Sequence, residues 1–167
     1  MSRARLVTLL RTAALIVLTG APAVLSGCTP AYVRGTEIAF TPEKQELADL
    51  VERYRVALEG RDTAALRALV SENYYENAST TNDPRDDYNQ EGLLEVLERL
   101  SDRVKAVRYE IKITSINIFN GTASVDFDYN GQFLFTSGEQ DRWATQADKN
   151  RLTFERVQGE WRIVSGL

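Results

Sequence analysis

The hydrophobic period of this chain changes once, near Val104, and that change decides what the chain can fold into. Upstream, apolar residues recur at helical spacing. Thr41-Pro42 supplies an N-cap followed by a proline where no N–H is needed. Leu47, Leu50, Val51, Tyr54 and Leu58 then form one stripe, and Gly60 is expected to stop the helix. Asp62 can cap a second, short helix carrying Leu66, Leu69 and Val70. Asn73–Glu76 reads as a short strand, and the polar run 77–91, without any period, reads as a loop. A third helix places Leu93, Leu94, Leu97, Leu100 and Val104 on one face, with Glu95 and Arg99 as an outward pair.

Downstream the period is two. Tyr109, Ile111 and Ile113 alternate with Glu110 and Lys112, and Asn120-Gly121 predicts a tight hairpin of the primed type. Ala123, Val125, Phe127, Tyr129, Phe133 and Phe135 then share one face, while Ser124, Asp126, Asp128, Asn130 and Gln132 share the other. A further strand is expected over about 139–157, a turn at Gln158-Gly159, and a closing strand from Glu160 to Ser165. Leu152, Phe154, Trp161 and Ile163 fall on compatible faces of that last hairpin. The polar stretch Trp143–Asn150 within a strand predicts a bulge or a pocket rim. Three helices followed by an antiparallel meander imply an α+β fold, with the helices packed on the concave face of a curved sheet. The 127 residues from Thr41 onward suffice for one core. A cystatin-like roll, with one helix on a sheet, is the rival, and three amphipathic stripes argue against it.

The first 27 residues read as a secretory signal. Arg3, Arg5 and Arg11 precede a run of about 14 mostly apolar residues, too short for a spanning helix. Leu25-Ser26-Gly27-Cys28 resembles the lipobox of bacterial lipoproteins. That resemblance implies cleavage before Cys28 and acylation of its thiol and amine, hence a chain held to the membrane by covalent lipid. Thr29 after the cysteine is similar to the pattern that sends such proteins to the outer membrane, facing the periplasm. Residues 28–40 read as the lipidated tether and 41–167 as the domain. Without residues 1–27 the chain has 17 basic and 24 acidic residues, net −7. Such a body is repelled by anionic headgroups and by nucleic acid, which leaves anchoring to the lipid.

The chain has one cysteine and no histidine. These counts exclude an internal disulfide, a CxxC redox pair, and the serine- and cysteine-nucleophile systems that need an imidazole. No cofactor is called for. Asp126–Gly131 matches the start of a calcium loop, yet Ser137 stands where the bidentate glutamate belongs and the flanks alternate like strands. Asp126 and Asp128 on the polar strand face should be solvated. The candidate pocket residues are polar groups beside large aromatics: Tyr54, Tyr74, Tyr75, Tyr88, Trp143, Asp148 and Asn150.

The order of two helices, short strand, helix and four long strands resembles the nuclear transport factor 2-like cone, which includes the ketosteroid isomerases. The run Asn150–Leu167, with its Gly159-Glu-Trp-Arg-Ile163, is similar to the closing hairpin of many such domains. The resemblance implies a pocket between helices and sheet. It supplies no catalytic set, since dehydratases of the superfamily use histidine and no aspartate–tyrosine–acid trio falls at matching positions. The expected function is therefore a non-catalytic envelope lipoprotein that binds a protein or a small apolar ligand, with a homodimer through the open sheet face and a scaffolding role in envelope assembly as further possibilities. The alternative is a histidine-independent isomerase or dehydratase. It requires a buried carboxylate, with Asp148 beside Trp143 or a tyrosine as first choice.

Overall fold

The computed structural model describes residues 31–77, 87–138 and 140–167. The expected leader and lipobox with Cys28 lie outside the described residues, as does most of the expected loop. Among the described residues no helix is long and apolar enough to cross a membrane.

Helix α1 (Pro42–Gly60) begins as expected, with the Thr41 side chain accepting from the Lys44 N–H. It ends at Gly60, but the left-handed cap falls on the next residue. Arg61 takes the left-handed position at φ 52°, and its guanidinium reaches the Val104 carbonyl at 2.6 Å. That long-range bond offsets the small cost of a non-glycine residue there. Helix α2 (Thr63–Leu69) is capped by Asp62, whose carboxylate accepts from Ala65 N–H. The short strands β1 (Tyr75–Glu76) and β2 (Tyr88–Asn89) pair antiparallel. The second lies in the stretch read as loop, where two residues are too few to show a period. Helix α3 (Gln90–Arg103) is capped by Asn89.

Four long strands follow in meander order: β3 (Val104–Phe119), β4 (Thr122–Ser137), β5 (Gln140–Val157) and β6 (Glu160–Ser165). Asn120 and Gly121 both have positive φ, at 49° and 78°, as a primed two-residue turn demands. The inward face of β4 carries Ala123, Val125 and Phe127, all buried, and Leu152, Phe154, Trp161 and Ile163 complete the core beneath the helices. The expected bulge at Trp143–Asn150 is absent, since β4 and β5 keep one register from Gln140 to Glu155. Irregularities near the core lie instead between β5 and β6, at Thr153/Phe154, and in β3, where a shift between Ile113 and Ser115 changes the inward set from Tyr109, Ile111 and Ile113 to Ile116 and Ile118.

Residues 31–40, read as tether, are part of the folded body. Tyr32 bridges Ala39, Val33 N–H bonds the Ile38 carbonyl at 2.9 Å, and Val33 is 1 % exposed. A ten-residue turn shows no period, so its one buried anchor was invisible in the sequence.

At Tyr109 the outer edge of β3 is met by side chains of α1. Glu59 accepts from the Tyr109 N–H at 2.7 Å, and Arg55, held by Glu59 at 2.6 Å, approaches the Tyr109 carbonyl at 3.4 Å. Backbone groups that would otherwise invite another strand are thus occupied. Glu59→Ala should cost about 1–2 kcal/mol, because it strands the Tyr109 donor and the Arg55 cation together. Glu59→Gln, which keeps an acceptor, should recover about half of that. Urea midpoints of the two variants check the order, and an unchanged midpoint for Glu59→Ala would remove the edge-covering role.

Candidate functional site

The polar side chains at one end of the core converge on two residues, Gly166 and Leu167, which follow β6. Tyr74, at the entry to β1, and Tyr88, in β2, stack with ring centroids 6.3 Å apart. The Tyr88 hydroxyl donates to the Leu167 main-chain oxygen at 2.9 Å. The Tyr74 hydroxyl accepts from Leu167 N–H at 3.2 Å and lies 3.2 Å from Glu76 Oε2, to which it donates. Glu76 Oε2 also accepts from Gly166 N–H at 2.5 Å. From β5, Asn150 Nδ2 donates to Gly166 O at 2.8 Å. The Leu167 side chain packs against the hydrophobic core.

Burial governs the electrostatics here. Desolvation pushes the Tyr74 phenol well above its ordinary value, with the Tyr88 and Glu76 charges adding to the rise. Tyr88 is raised for the same first reason. Both phenols are therefore neutral hydrogen-bond donors at physiological pH.

The seven pocket candidates divide. Tyr74, Tyr88 and Asn150 meet at this cluster. Tyr54 lies deeper: its ring stands edge-on to Tyr109 at 6.2 Å and tilted against Phe127 at 6.5 Å, while Tyr109 stacks on Tyr129 at 5.2 Å. Burial pushes Tyr54 up to about 12 and Tyr109 higher still. These rings fill the core. Tyr75 points away, half exposed, with its hydroxyl 2.5 Å from Asp87. Trp143 is 46 % exposed on the outer sheet face, where the Arg108 guanidinium sits 4.9 Å over its ring. Asp148 is exposed on the opposite face, in register with Tyr129. The enzymatic alternative required it buried beside Trp143 or a tyrosine; it does lie beside Tyr129, but exposed, and strand alternation puts Trp143 on the other face.

The sequence reading missed Glu76, Gly166 and Leu167. A usable signal was present in Gly166, a glycine placed directly after a strand that closes a sheet. Its φ is 99°, and a Cβ there would stand 2.0 Å from the Arg151 carbonyl oxygen. Asp126 and Asp128 occupy the outer face as expected, with Asp126 paired to Arg151 at 2.5 Å. Asp126–Gly131 is regular strand within β4. Among the described residues no cluster of carboxylates or other ligands could hold a metal ion.

No protein-family model matches this sequence, and no curated protein resembles it. Solved structures do. A conserved protein from Planctomyces limnophilus superposes with a TM-score of 0.62 at 18 % identity, over 74 % of this chain and 92 % of that one. A nuclear transport factor 2-like superfamily protein from Salmonella enterica serovar Typhimurium covers 74 % of this chain and 87 % of its own, with a TM-score of 0.58 at 16 % identity. The fold is nuclear transport factor 2-like. At these identities the likeness concerns the fold alone. One nuclear transport factor 2-like neighbour is an enzyme, a hexachlorocyclohexane dehydrochlorinase, with a TM-score of 0.61 at 12 % identity over 74 % of this chain and 82 % of that one. The same cone thus serves catalysis elsewhere, and the site of this chain must be judged on its own residues.

Proposed function

We propose that this chain is a lipid-anchored envelope protein whose nuclear transport factor 2-like domain binds a partner protein without catalysis. One observation carries this reading: the polar groups gathered at the end of the core are bonded to the chain's own Gly166–Leu167 segment. Glu76, the carboxylate beside Tyr74, is engaged by a backbone N–H and a phenol, and the phenols are held neutral. Neither acid nor base is poised for a substrate. A surface for a partner lies instead on the outer helices, where a groove of about 590 Å³ runs between α1 and α2. Its floor is Ala57, Ala65, Ala68 and Leu69, its wall the exposed Val56, and its rim Glu52 and Arg53. An apolar floor with a charged rim suits a protein surface. The test is a photo-crosslinker at Val56 in the acylated protein in cells, with captured partners identified. Turnover of a substrate that Glu76→Gln abolishes without unfolding the protein would overturn the reading.

The anchor rests on Cys28 at the end of a lipobox. Because packing begins at Val33, only four residues separate it from Cys28, five chain steps or about 18 Å at full extension. The acidic domain is then held close to the headgroups. Cys28→Ser should shift the protein from the membrane to the soluble or uncleaved-precursor fraction. Unchanged membrane partition of a processed Cys28→Ser chain would refute the lipid anchor.

A further inference from the structure

Both edges of the four-stranded sheet need an account. That of β3 is met by α1 side chains at Tyr109, and that of β5 runs past the end of β6 over much of its length. Strand β6 pairs with β5 only between Thr153 and Val157. Gly166 covers β5 near Arg151 and Asn150. From Gln140 to Lys149 every residue is exposed, and no described strand lies on that side. The bare stretch thus runs from Gln140 to the blocked end at Asn150, and its midpoint is Thr145.

The outward backbone groups belong to the odd-numbered residues. Lys149 N–H and Arg151 N–H, turned away from β4, are met only by the preceding side chains, Asp148 Oδ1 and Asn150 Oδ1, each at 2.8 Å. Alternation then leaves Asp141, Trp143, Thr145 and Ala147 presenting donors and acceptors outward.

We propose that this edge pairs with the same edge of a second copy, antiparallel about a two-fold axis at Thr145, to make one continuous eight-stranded sheet. The sequence of the edge is self-complementary in that register. Asp141 falls opposite the partner's Lys149, and Arg142 opposite the partner's Asp148. Trp143 meets the partner's Ala147, and Ala144 the partner's Gln146. All four charges of the edge therefore face opposite charges, each pair twice by symmetry. A register must keep odd residues opposite odd ones, so the neighbouring choices centre on Ala144 or Gln146. They set Arg142 against Gln146 or Asn150 and Asp148 against Gln140 or Ala144, and keep at most one opposite-charge pair, Asp141 with the partner subunit's Arg151 in the second. The pairing at Thr145 would add about ten backbone hydrogen bonds between copies. Isolated edges are usually protected by charges of one sign or by proline; here opposite signs are arranged as a palindrome.

Charge exchange tests this directly in the purified full chain by sedimentation velocity. The unaltered chain should show a concentration-dependent dimer. Arg142→Asp and Asp148→Arg each create like-charge pairs twice per dimer and should weaken association by about tenfold or more. An equimolar mixture of the two variants should dimerise again, because each like pair becomes an opposite pair in the mixed species. Thr145→Cys, in a Cys28→Ser background that leaves one thiol, should oxidise to a disulfide-linked dimer, since Cα atoms of a hydrogen-bonded pair lie about 5.5 Å apart. Ser124→Cys, on the open sheet face, should not. A chain monomeric at its highest soluble concentration overturns the proposal. So does a dimer indifferent to both charge reversals, or one crosslinked through Ser124→Cys and not Thr145→Cys, which would assign the contact to the sheet face.

Discussion

Gly166→Ala should lower stability by about 2–4 kcal/mol and release the last two residues from the core. The added Cβ would stand 2.0 Å from Arg151 O and 3.2 Å from Leu152 Cα, both backbone atoms of a strand bonded on its other side to β4. Neither can yield, and φ of 99° disfavours any L side chain. The segment must leave, and with it go the Glu76, Asn150, Tyr74 and Tyr88 hydrogen bonds. The loss is bounded by what the docking of two residues contributes, so the rest of the domain should stay folded. Denaturant titration gives the size of the effect, and amide exchange locates it at β1, β2 and the end of β6. Tyr88→Phe, which removes one hydrogen bond, should cost only about 1 kcal/mol. A Gly166→Ala protein as stable as the parent would mean that the segment does not dock as described, and the case against a substrate at Tyr74 and Tyr88 would go with it.

The division between what the sequence reveals and what it hides follows range. Thr41, Asp62, the helical stripes and Asn120-Gly121 act over three to eleven residues, and each element they predict is present. The inward face of β4 is legible because burial on one side imposes strict alternation. What depends on distant partners is not legible. Arg61 ends α1 because Val104 lies within its reach, 43 residues on. Val33 is core because Ile38 turns the chain back over α1. Tyr54, Tyr74 and Trp143 look alike as aromatic residues beside polar ones, but one fills the core, one holds Leu167 and one lies on the outer face. Composition could not separate them, since the difference is a matter of strand parity and of which element arrives opposite. The strand expected over about 139–157 is present as β5, and the polarity of Trp143–Asn150, which by itself predicts a bulge or a pocket rim, has another source. The same polarity describes an edge with no strand beyond it.

Alkaline titration should unfold this protein cooperatively, by a mechanism that depends on the buried phenols. Unfolded tyrosines lose their protons near pH 10. In the folded chain burial pushes Tyr54 up to about 12 and raises Tyr74 and Tyr109 further. Below about pH 10 both states hold these protons, and the packing contributes in full. Above it the unfolded state sheds them first, so stability falls as pH rises, until the folded groups titrate as well: near pH 12 for Tyr54, later for the other two. Each phenol contributes a slope of about 1.4 kcal/mol per pH unit, and three together about 4. The loss builds through the alkaline range and is greatest where all three phenols keep their protons in the fold but not in the unfolded chain. Phenolate absorbance and circular dichroism should therefore change together in one steep step. Tyr54→Phe should lessen the slope by about a third while costing about 1 kcal/mol near neutrality, since the ring keeps its packing against Tyr109 and Phe127 and only the hydroxyl's hydrogen bond with Tyr109 is lost. Gradual ionisation of every tyrosine around pH 10, with the dichroism intact, would show the phenols to be open to water and would remove this mechanism.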